Sequence, residues 1–237
     1  MKIIFTPDWF LGKDILIESF SFIVLLAFFF LCRKYYKLSG KKNFFNLASG
    51  FLLIALAQLA TIMTKLVLYY DTKFTQQIGQ LIITYHVVKS VDIFYYAGFF
   101  FYSLLTLLGF FVIYRLGKKH KGDFFLVLYF IVISALLGSG FYYYLVQFYY
   151  FFNFYYIFHL TVLVLLILII NNFFQIYKKN KASNTKILIA AFVLLALSQV
   201  IFIFSKLGVM FAIANFIELI GYIILLVLII RILRCKK

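Results

Sequence analysis

Long apolar stretches alternate with short polar ones along almost the whole chain. A helix that spans the hydrocarbon core of a bilayer needs about 20 mostly apolar residues. We predict membrane-spanning helices over the seven stretches of this length, at about 14–33, 44–69, 90–116, 124–146, 151–177, 184–206 and 209–233. The pattern therefore predicts an all-α, multi-pass (polytopic) membrane protein that forms a single domain over residues 1–237.

The boundary between the predicted fourth and fifth helices is the least distinct one. Gln147, Phe148, Tyr149 and Tyr150 lie between these helices, without a charge, a proline or a glycine to mark a turn. We expect a tight turn over these residues.

Composition supports the same class of protein. Hydrophobic residues make up 66% of the chain and charged residues 13%, whereas soluble proteins contain about 45–50% and about 25%. A water-soluble fold of this length could not bury so much apolar surface, so we expect the lipid bilayer to surround much of it. The N-terminus lacks a basic start followed by a small-residue cleavage site, and we predict no removable signal peptide.

The basic residues give the predicted helices a direction. Seventeen of the 23 lysines and arginines lie in loops at one face: Arg33, Lys34, Lys37, Lys41, Lys42, Arg115, Lys118, Lys119, Lys121, Lys178, Lys179, Lys181, Lys186, Arg231, Arg234, Lys236 and Lys237. The other face has Lys2, Lys13, Lys65, Lys73, Lys89 and Lys206. Because loops rich in lysine and arginine stay in the cytoplasm, we place the N-terminus outside the cell membrane and the C-terminus in the cytoplasm. An even number of helices would destroy this alternation.

The acidic residues have the opposite distribution. Five of them, Asp8, Asp14, Glu18, Asp71 and Asp92, lie at the face with few basic residues, and Asp123 lies at the other. The net charge of +16 would also suit a nucleic acid. Positioning of the loops already explains this charge, and we predict no nucleic-acid partner.

A dense aromatic cluster falls at the predicted outer interface. It extends from Phe141-Tyr142-Tyr143-Tyr144 to Tyr155-Tyr156. Aromatic rings with a polar edge settle at the level of the lipid headgroups, so we interpret the cluster as an interfacial belt. The alternative is an aromatic platform for a ligand.

An internal repeat becomes visible when the chain is shifted by 141 positions. Without gaps, Tyr36-Lys37 falls on Tyr177-Lys178, Ala55-Leu56-Ala57-Gln58 on Ala196-Leu197-Ser198-Gln199, and Lys65-Leu66 on Lys206-Leu207. This register covers a loop and one whole helix, which chance similarity between apolar helices rarely achieves.

We infer two units of three helices, at about 14–116 and about 151–234, joined by a linker helix at about 124–146. The third and seventh helices match only loosely, and they end in Tyr114-Arg115-Leu116 and Ile230-Arg231-Ile232. Because one helix separates the units, both run in the same direction. They are then parallel repeats, related by an axis along the membrane normal.

This three-plus-one-plus-three (3+1+3) plan resembles the SWEET and PQ-loop transporters, although their Pro-Gln motif is missing and Pro7 is the only proline. Other segments resemble uncharacterised archaeal seven-helix membrane proteins: Gly50-Phe51-Leu52-Leu53-Ile54-Ala55-Leu56-Ala57-Gln58, and Ile217-Glu218-Leu219-Ile220-Gly221-Tyr222 with Arg231-Ile232-Leu233-Arg234. Some of those proteins resemble the membrane sensor modules of signalling proteins. The resemblance implies a seven-helix fold and carries over no settled activity.

One group of polar residues falls inside the last two predicted spans. An ionisable side chain costs about 2.5–3.5 kcal/mol at the centre of a span, so it needs a partner or a water-filled cavity. Counting from the turn near residue 208 places Gln199 at the depth of Glu218, where its amide would donate to the carboxylate. Asn215, three residues before Glu218, would add a donor on the same face. Two interpretations stay open: a structural hydrogen bond between helices, and a ligand or proton site.

The repeat adds three residues to this candidate site. Gln58 corresponds to Gln199, and Glu18 corresponds to His159 in the first helix of each unit. We predict that these four side chains and Glu218 converge in one solvent-accessible outer pocket. For His159 alone, the alternative is an ordinary packing residue.

Two lysines follow the glutamines at the same spacing. Lys65 and Lys206 lie seven positions after Gln58 and Gln199, on the same helix faces. Lysine at a helix end often extends its ammonium to the headgroups, and we expect both side chains to do so.

Motifs for catalysis and cofactors are missing from the sequence. His86, His120 and His159 are too dispersed for a zinc site of the usual spacing. Gly138-Ser139-Gly140 lacks the G-x-S-x-G spacing of a serine nucleophile, and no G-x-x-x-x-G-K-[ST] phosphate loop occurs. We therefore predict neither an enzyme nor a cofactor or metal.

Three functional hypotheses remain. The leading one is a sensor-like or receptor-like membrane module that binds a small-molecule ligand, or senses the bilayer, and signals through a separate membrane or cytoplasmic protein. The second is a small-solute facilitator whose two units rock about the site. The third is a structural subunit of a membrane complex, in which the buried polar groups serve packing only.

Overall fold

The structure is a computed structural model that describes residues 8–10, 12–69, 90–116, 151–204 and 208–234. After a 3-10 turn at Asp8–Phe10, these residues form six α-helices: α1 (Lys13–Ser39), α2 (Lys42–Tyr69), α3 (Ser90–Tyr114), α4 (Phe151–Asn180), α5 (Ser183–Ile203) and α6 (Gly208–Arg234). All six are long and apolar enough to cross a membrane, so the chain is an integral, multi-pass membrane protein. The predicted helix at 124–146 and the predicted turn at 147–150 lie outside the described residues.

The helices expose many large apolar side chains and bury polar ones such as Ser103, Gln199 and Asn215, as expected where lipid is the solvent. On α6, Ile213, Phe216 and Ile220 follow one another at helical spacing on the exposed face. Asn215 and Glu218 lie on the buried face of the same helix. An arrangement of this kind is stable only if the exposed stripe contacts hydrocarbon rather than water.

The six helices pack as a closed ring in chain order, and α6 returns to contact α1. Helices α3 and α4 run parallel. Near their beginnings, the rings of Phe99 and Phe158 lie 5.8 Å apart, and near their ends, Asn172 Nδ2 donates to the Tyr114 carbonyl at 3.4 Å.

Glycine allows two of the helix pairs to approach closely. A Cβ atom at Gly109 in α3 would lie 2.6 Å from Ile54 Cγ1 and 2.7 Å from the Gly50 carbonyl oxygen in α2. A Cβ atom at Gly221 in α6 would lie 2.8 Å from Leu195 Cδ2, with the Ala191 carbonyl oxygen at 3.4 Å. A glycine therefore permits the close approach in both the α2–α3 and the α5–α6 contact.

Two short turns have matching geometry. Gly40, between α1 and α2, has a φ of 66°, and its N–H donates to the Tyr36 carbonyl at 2.8 Å. Lys181, between α4 and α5, has a φ of 46°, and its N–H donates to the Tyr177 carbonyl at 2.7 Å. Both helices thus end in a left-handed residue, a conformation that glycine adopts without strain and lysine does not.

We call the end of the bundle that contains these two turns the basic end, and the end that contains Asp14 and Glu18 the acidic end. Helix α1 reaches Ser39 at the basic end, beyond the predicted limit at 33. The added turns carry exposed Lys34 and Lys37, which shows that the helix continues past its apolar stretch.

Candidate functional site

A cavity of about 120 Å³ lies at the acidic end and is lined by residues from all six helices. Its polar lining consists of Glu18, Gln58, Thr61, Thr64, Lys65, His159, Asn215 and Glu218. Its aromatic lining consists of Phe99, Tyr102, Tyr155, Phe202 and Phe211. A cavity of this volume has room for several water molecules or for one compound of about five to eight non-hydrogen atoms.

An ion cluster forms one wall of the cavity. Lys65 Nζ on α2 lies 2.5 Å from Glu18 Oε1 and 2.7 Å from Asp14 Oδ2 on α1. The ammonium also lies 5.5 Å from the centre of the Phe211 ring. The expectation that Lys65 extends to the headgroups is wrong, because two carboxylates one helical turn apart hold it against α1. Lys206 lies outside the described residues.

A histidine and a glutamine join α4 to α5 next to the cavity. His159 Nδ1 donates to Gln199 Oε1 at 2.7 Å, and the His159 ring stacks on Phe202 with centroids 4.9 Å apart. Gln199 Nε2 in turn donates to Ser198 Oγ at 3.4 Å. The imidazole is therefore held in one orientation by a hydrogen bond on one edge and a ring on one face.

Glu218 on α6 has a different partner from the one expected. The Tyr222 hydroxyl, one turn along the same helix, donates to Glu218 Oε1 at 2.6 Å. Asn215 Nδ2 donates to the Phe211 carbonyl at 2.8 Å. The predicted bonds from Gln199 and Asn215 to Glu218 are wrong, because both amides turn to other acceptors at the same depth.

The two glutamates of the cavity lie close enough to interact electrostatically, and Tyr102 interacts with both. Glu18 Oε1 pairs with Lys65, but Glu18 Oε2 is buried and has no hydrogen-bond partner within the described part of the chain. Gln58 hydrogen-bonds to Tyr222. Among the described residues, only one oxygen of the Glu18 carboxylate therefore has a partner.

The structure brings the predicted site residues together. Glu18, Gln58, His159, Asn215 and Glu218 line the cavity, and Gln199 is hydrogen-bonded to His159.

Sequence reasoning missed several residues of the site and misplaced one aromatic. Asp14, Tyr102 and Tyr222 were not singled out. The spacing of Asp14 to Glu18, and of Glu218 to Tyr222, is the signal that could have found two of them, since residues four apart share a helix face. Tyr155 lines the cavity and so does not belong to an interfacial belt; residues 141–150 of the aromatic cluster lie outside the described residues.

A second cavity, of about 250 Å³, lies at the basic end. Its lining is mostly apolar and includes Asn43 and Leu47 of α2, Asn184 and Leu188 of α5, and Leu228 of α6. It too is therefore shared between the first three and the last three described helices.

A layer of phenylalanines occupies the length of bundle between the two cavities. Phe51 of α2 and Phe192 of α5 stack with ring centroids 6.5 Å apart, and both rings are fully buried. Phe28 packs edge-on against Phe51 at 4.5 Å, and Phe173 stacks on Phe192 at 5.7 Å. This aromatic layer separates the polar cavity from the apolar one.

The described residues contain no group of three or more His, Cys, Asp or Glu side chains that could hold a metal ion. Comparison of the chain with protein-family models, curated proteins and solved structures finds no match in any of the three.

Proposed function

We propose that the chain is a receptor-like membrane module that binds a small polar ligand in the cavity at the acidic end and signals through a separate protein. One observation carries this proposal: all six described helices contribute to a cavity whose lining includes two glutamates, a lysine, a histidine and two amides. A ligand that contacts all six helices can change how they pack against one another.

Binding explains the polar groups better than packing alone does. Each ionisable side chain within a span is costly and needs a partner or water. Lys65 and Asp14 satisfy each other, but Glu18 keeps one buried oxygen without a partner in the described residues. A purely structural site would gain stability by removing that group, whereas a binding site needs it.

We further propose the two-unit plan, with the halves α1–α3 and α4–α6 as parallel repeats. The turns at Gly40 and Lys181 are 141 positions apart and have matching geometry, which supports the repeat register. Gly109 and Gly221 make equivalent contacts, with Ile54 and Leu195 respectively. This aligns α3 and α6 at a shift of 112 positions, in place of the loose match between Arg115 and Arg231.

The parallel direction of α3 and α4 supports a seventh span between them. Two helices that enter from the same face require the connecting chain to cross the membrane once more. The predicted linker helix at 124–146 would supply that crossing. With seven spans, the excess of lysine and arginine at the basic end places the C-terminus in the cytoplasm, the N-terminus outside and the polar cavity in the outer leaflet.

Thermal unfolding of the purified protein in mild detergent tests the ligand. Wild-type protein is screened with amino acids, amines, sugars and small carboxylates, because a compound that binds only the folded state raises the unfolding temperature. Thr61→Trp fills the cavity and should abolish the response. Met63→Trp is the matched control, since Met63 lies two residues away on the lipid-facing side of α2.

The outcomes separate the functional hypotheses. A compound that stabilises wild type and Met63→Trp but not Thr61→Trp supports a ligand site in this cavity. No response to any compound, combined with stable co-purification of other membrane proteins, would overturn the proposal in favour of a structural subunit.

A facilitator is the second candidate, and the second cavity favours it. The polar and the apolar cavity lie at opposite ends of one bundle, with the Phe51–Phe192 layer between them. Uptake of the stabilising compound into liposomes that contain the purified protein would establish transport. Binding without uptake supports the receptor-like module.

A further inference from the structure

The charges around the polar cavity do not balance. Asp14, Glu18 and Glu218 are clustered there, and Lys65 is the one lysine or arginine among the described residues that line the cavity. The His159 Nδ1–H is already used by Gln199. With the carboxyls ionised, the described residues of the site therefore carry more negative than positive charge in a region shielded from water, where uncompensated charge is costly.

The excess is concentrated on two side chains that belong to different halves of the bundle. Glu18 of α1 and Glu218 of α6 both line the cavity and lie close enough to interact electrostatically. Like charges in a poorly solvated site repel strongly. Glu18 Oε2 also lacks a hydrogen-bond donor within the described residues. A positive ligand that carries a donor or a diffuse charge would relieve both problems at once.

The remaining walls of the cavity suit an organic cation. Phe99, Tyr102 and Tyr155 present aromatic rings to it, and ring faces attract ammonium groups. Lys65 illustrates how this site holds such a group, because its ammonium is paired with carboxylates and lies over the Phe211 ring. The two glutamates and the aromatic rings that line the cavity offer an ammonium group a similar combination of partners.

We propose that the ligand of this cavity is a small organic ammonium ion, of about five to eight non-hydrogen atoms, held between Glu18 and Glu218 against the aromatic walls. This inference rests on the proposed ligand-binding function and names its ligand class. A bare metal ion is a poorer fit, because metals require several converging ligand atoms and the described residues offer no cluster of three.

Matched probes test the charge requirement. Choline and 3,3-dimethylbutan-1-ol have nearly the same shape, and they differ in the positive charge on the central atom. Thermal unfolding of wild-type protein in detergent is measured with each probe, with 3,3-dimethylbutanoate as the anion of the same shape, and with n-butylammonium as a primary amine. We expect at least one of the two cations to stabilise the protein at millimolar concentration and both the neutral and the anionic probe to leave it unchanged.

Isosteric variants then assign the response to the two glutamates. Glu218→Gln and Glu18→Gln each remove one negative charge with little change in shape, and each should weaken the apparent affinity for the cation about tenfold or more. Asp123→Asn removes the same charge from a predicted loop and should leave the affinity unchanged. If Glu18→Gln fails to fold because it also alters the Lys65 pair, Glu218→Gln alone decides the assignment.

Failure of this inference is distinguishable from failure of the proposed function. Stabilisation by the neutral alcohol or the anion equal to that by the cations overturns the ammonium proposal but keeps a ligand site. Equal responses of Glu218→Gln and wild type to the cation also overturn it. Absence of stabilisation by all four probes rejects the ammonium class, and the wider compound screen with Thr61→Trp then decides whether any ligand binds.

Discussion

The halves α1–α3 and α4–α6 pack in similar ways but carry different chemistry. Under the proposed repeat, His159 of the second half corresponds to Glu18 of the first half, and both side chains are buried beside the same cavity. Glu18 is part of an ion cluster with Lys65, whereas His159 forms a neutral hydrogen bond with Gln199. The two halves can therefore pack in similar ways although one has a glutamate and the other a histidine. This exchange makes the distribution of charge around the cavity asymmetric.

The same contrast in polar side chains holds between α3 and α6, the last helix of each half. Under the proposed register, Thr106 of α3 corresponds to Glu218 of α6, and Phe110 corresponds to Tyr222. The second half therefore combines an acid with its own hydroxyl donor on one helix, where the first half has a threonine and a phenylalanine. Conserved packing with divergent polar groups is what a repeat adapted to bind an asymmetric ligand requires.

The largest expected effect tests the ion cluster of the first half. Lys65→Met should destabilise the protein by about 3–5 kcal/mol, because it leaves Asp14 and Glu18 buried without their cation. Thermal unfolding in detergent measures the loss. The triple variant with Asp14→Asn and Glu18→Gln should recover much of it, and Lys186→Met, at the basic end, serves as control. An unchanged unfolding temperature for Lys65→Met would contradict the buried ion cluster.

The next effect compares the two close helix contacts. Gly109→Ala should cost about 2–3 kcal/mol, because the new methyl group meets backbone as well as Ile54. Gly221→Ala should cost about 1 kcal/mol, since it meets chiefly the flexible end of Leu195. Chemical denaturation of both variants in one detergent measures the two losses in the free energy of unfolding. Equal costs would show that the two contacts differ less than their geometry indicates.

Removal of one hydroxyl tests the hydrogen bond that is peculiar to the second half. Tyr222→Phe should cost about 1–1.5 kcal/mol, because Glu218 loses its donor inside the membrane. Tyr177→Phe, at the basic end, is the matched control and should be neutral in the same unfolding assay. An equal loss of stability in both variants would show that the effect comes from removal of any tyrosine hydroxyl and not from the bond to Glu218.

The smallest effect concerns the two left-handed turns. Lys181→Gly should stabilise the protein by about 0.5–1 kcal/mol, because glycine adopts the positive φ of 46° without strain. Gly40→Ala should destabilise by a similar amount, since open space around Gly40 leaves the backbone conformation as the sole cost. A higher unfolding temperature for Lys181→Gly and a lower one for Gly40→Ala would support equivalent turns. A lower unfolding temperature for Lys181→Gly would contradict this equivalence.

The positions of the six described helices could be predicted from the sequence, because the length of an apolar stretch fixes a span. Depth within the membrane could also be predicted by counting from a turn, which is why Gln199 and Glu218 were expected at one level. Rotation of each helix about its axis could not. Gln199 has the depth of Glu218 but faces His159, and apolar residues all round a membrane helix leave no polar stripe to indicate its orientation.

The partners of Lys65 were missed for a related reason. A lysine near the end of a span can reach the headgroups or turn inward, and its long side chain permits both. The decision depends on Asp14 and Glu18, which lie on a different helix and face α2 only in the packed structure. Tyr222 was missed as a site residue because the sequence contains 19 tyrosines, and most of them show no pattern that would single them out.

The ion cluster also has a consequence for the order in which the chain enters the bilayer. Asp14, Glu18 and Lys65 all belong to α1 and α2, a hairpin that is synthesised before helices α3 to α6. Lys65 can pair with both carboxylates within that hairpin, before α3 to α6 have been synthesised. Glu218 meets its Tyr222 donor within a single helix. Lys65 and Glu218 therefore each have a partner in their own segment at the moment of insertion, and the cavity is completed only when α6 arrives beside α1.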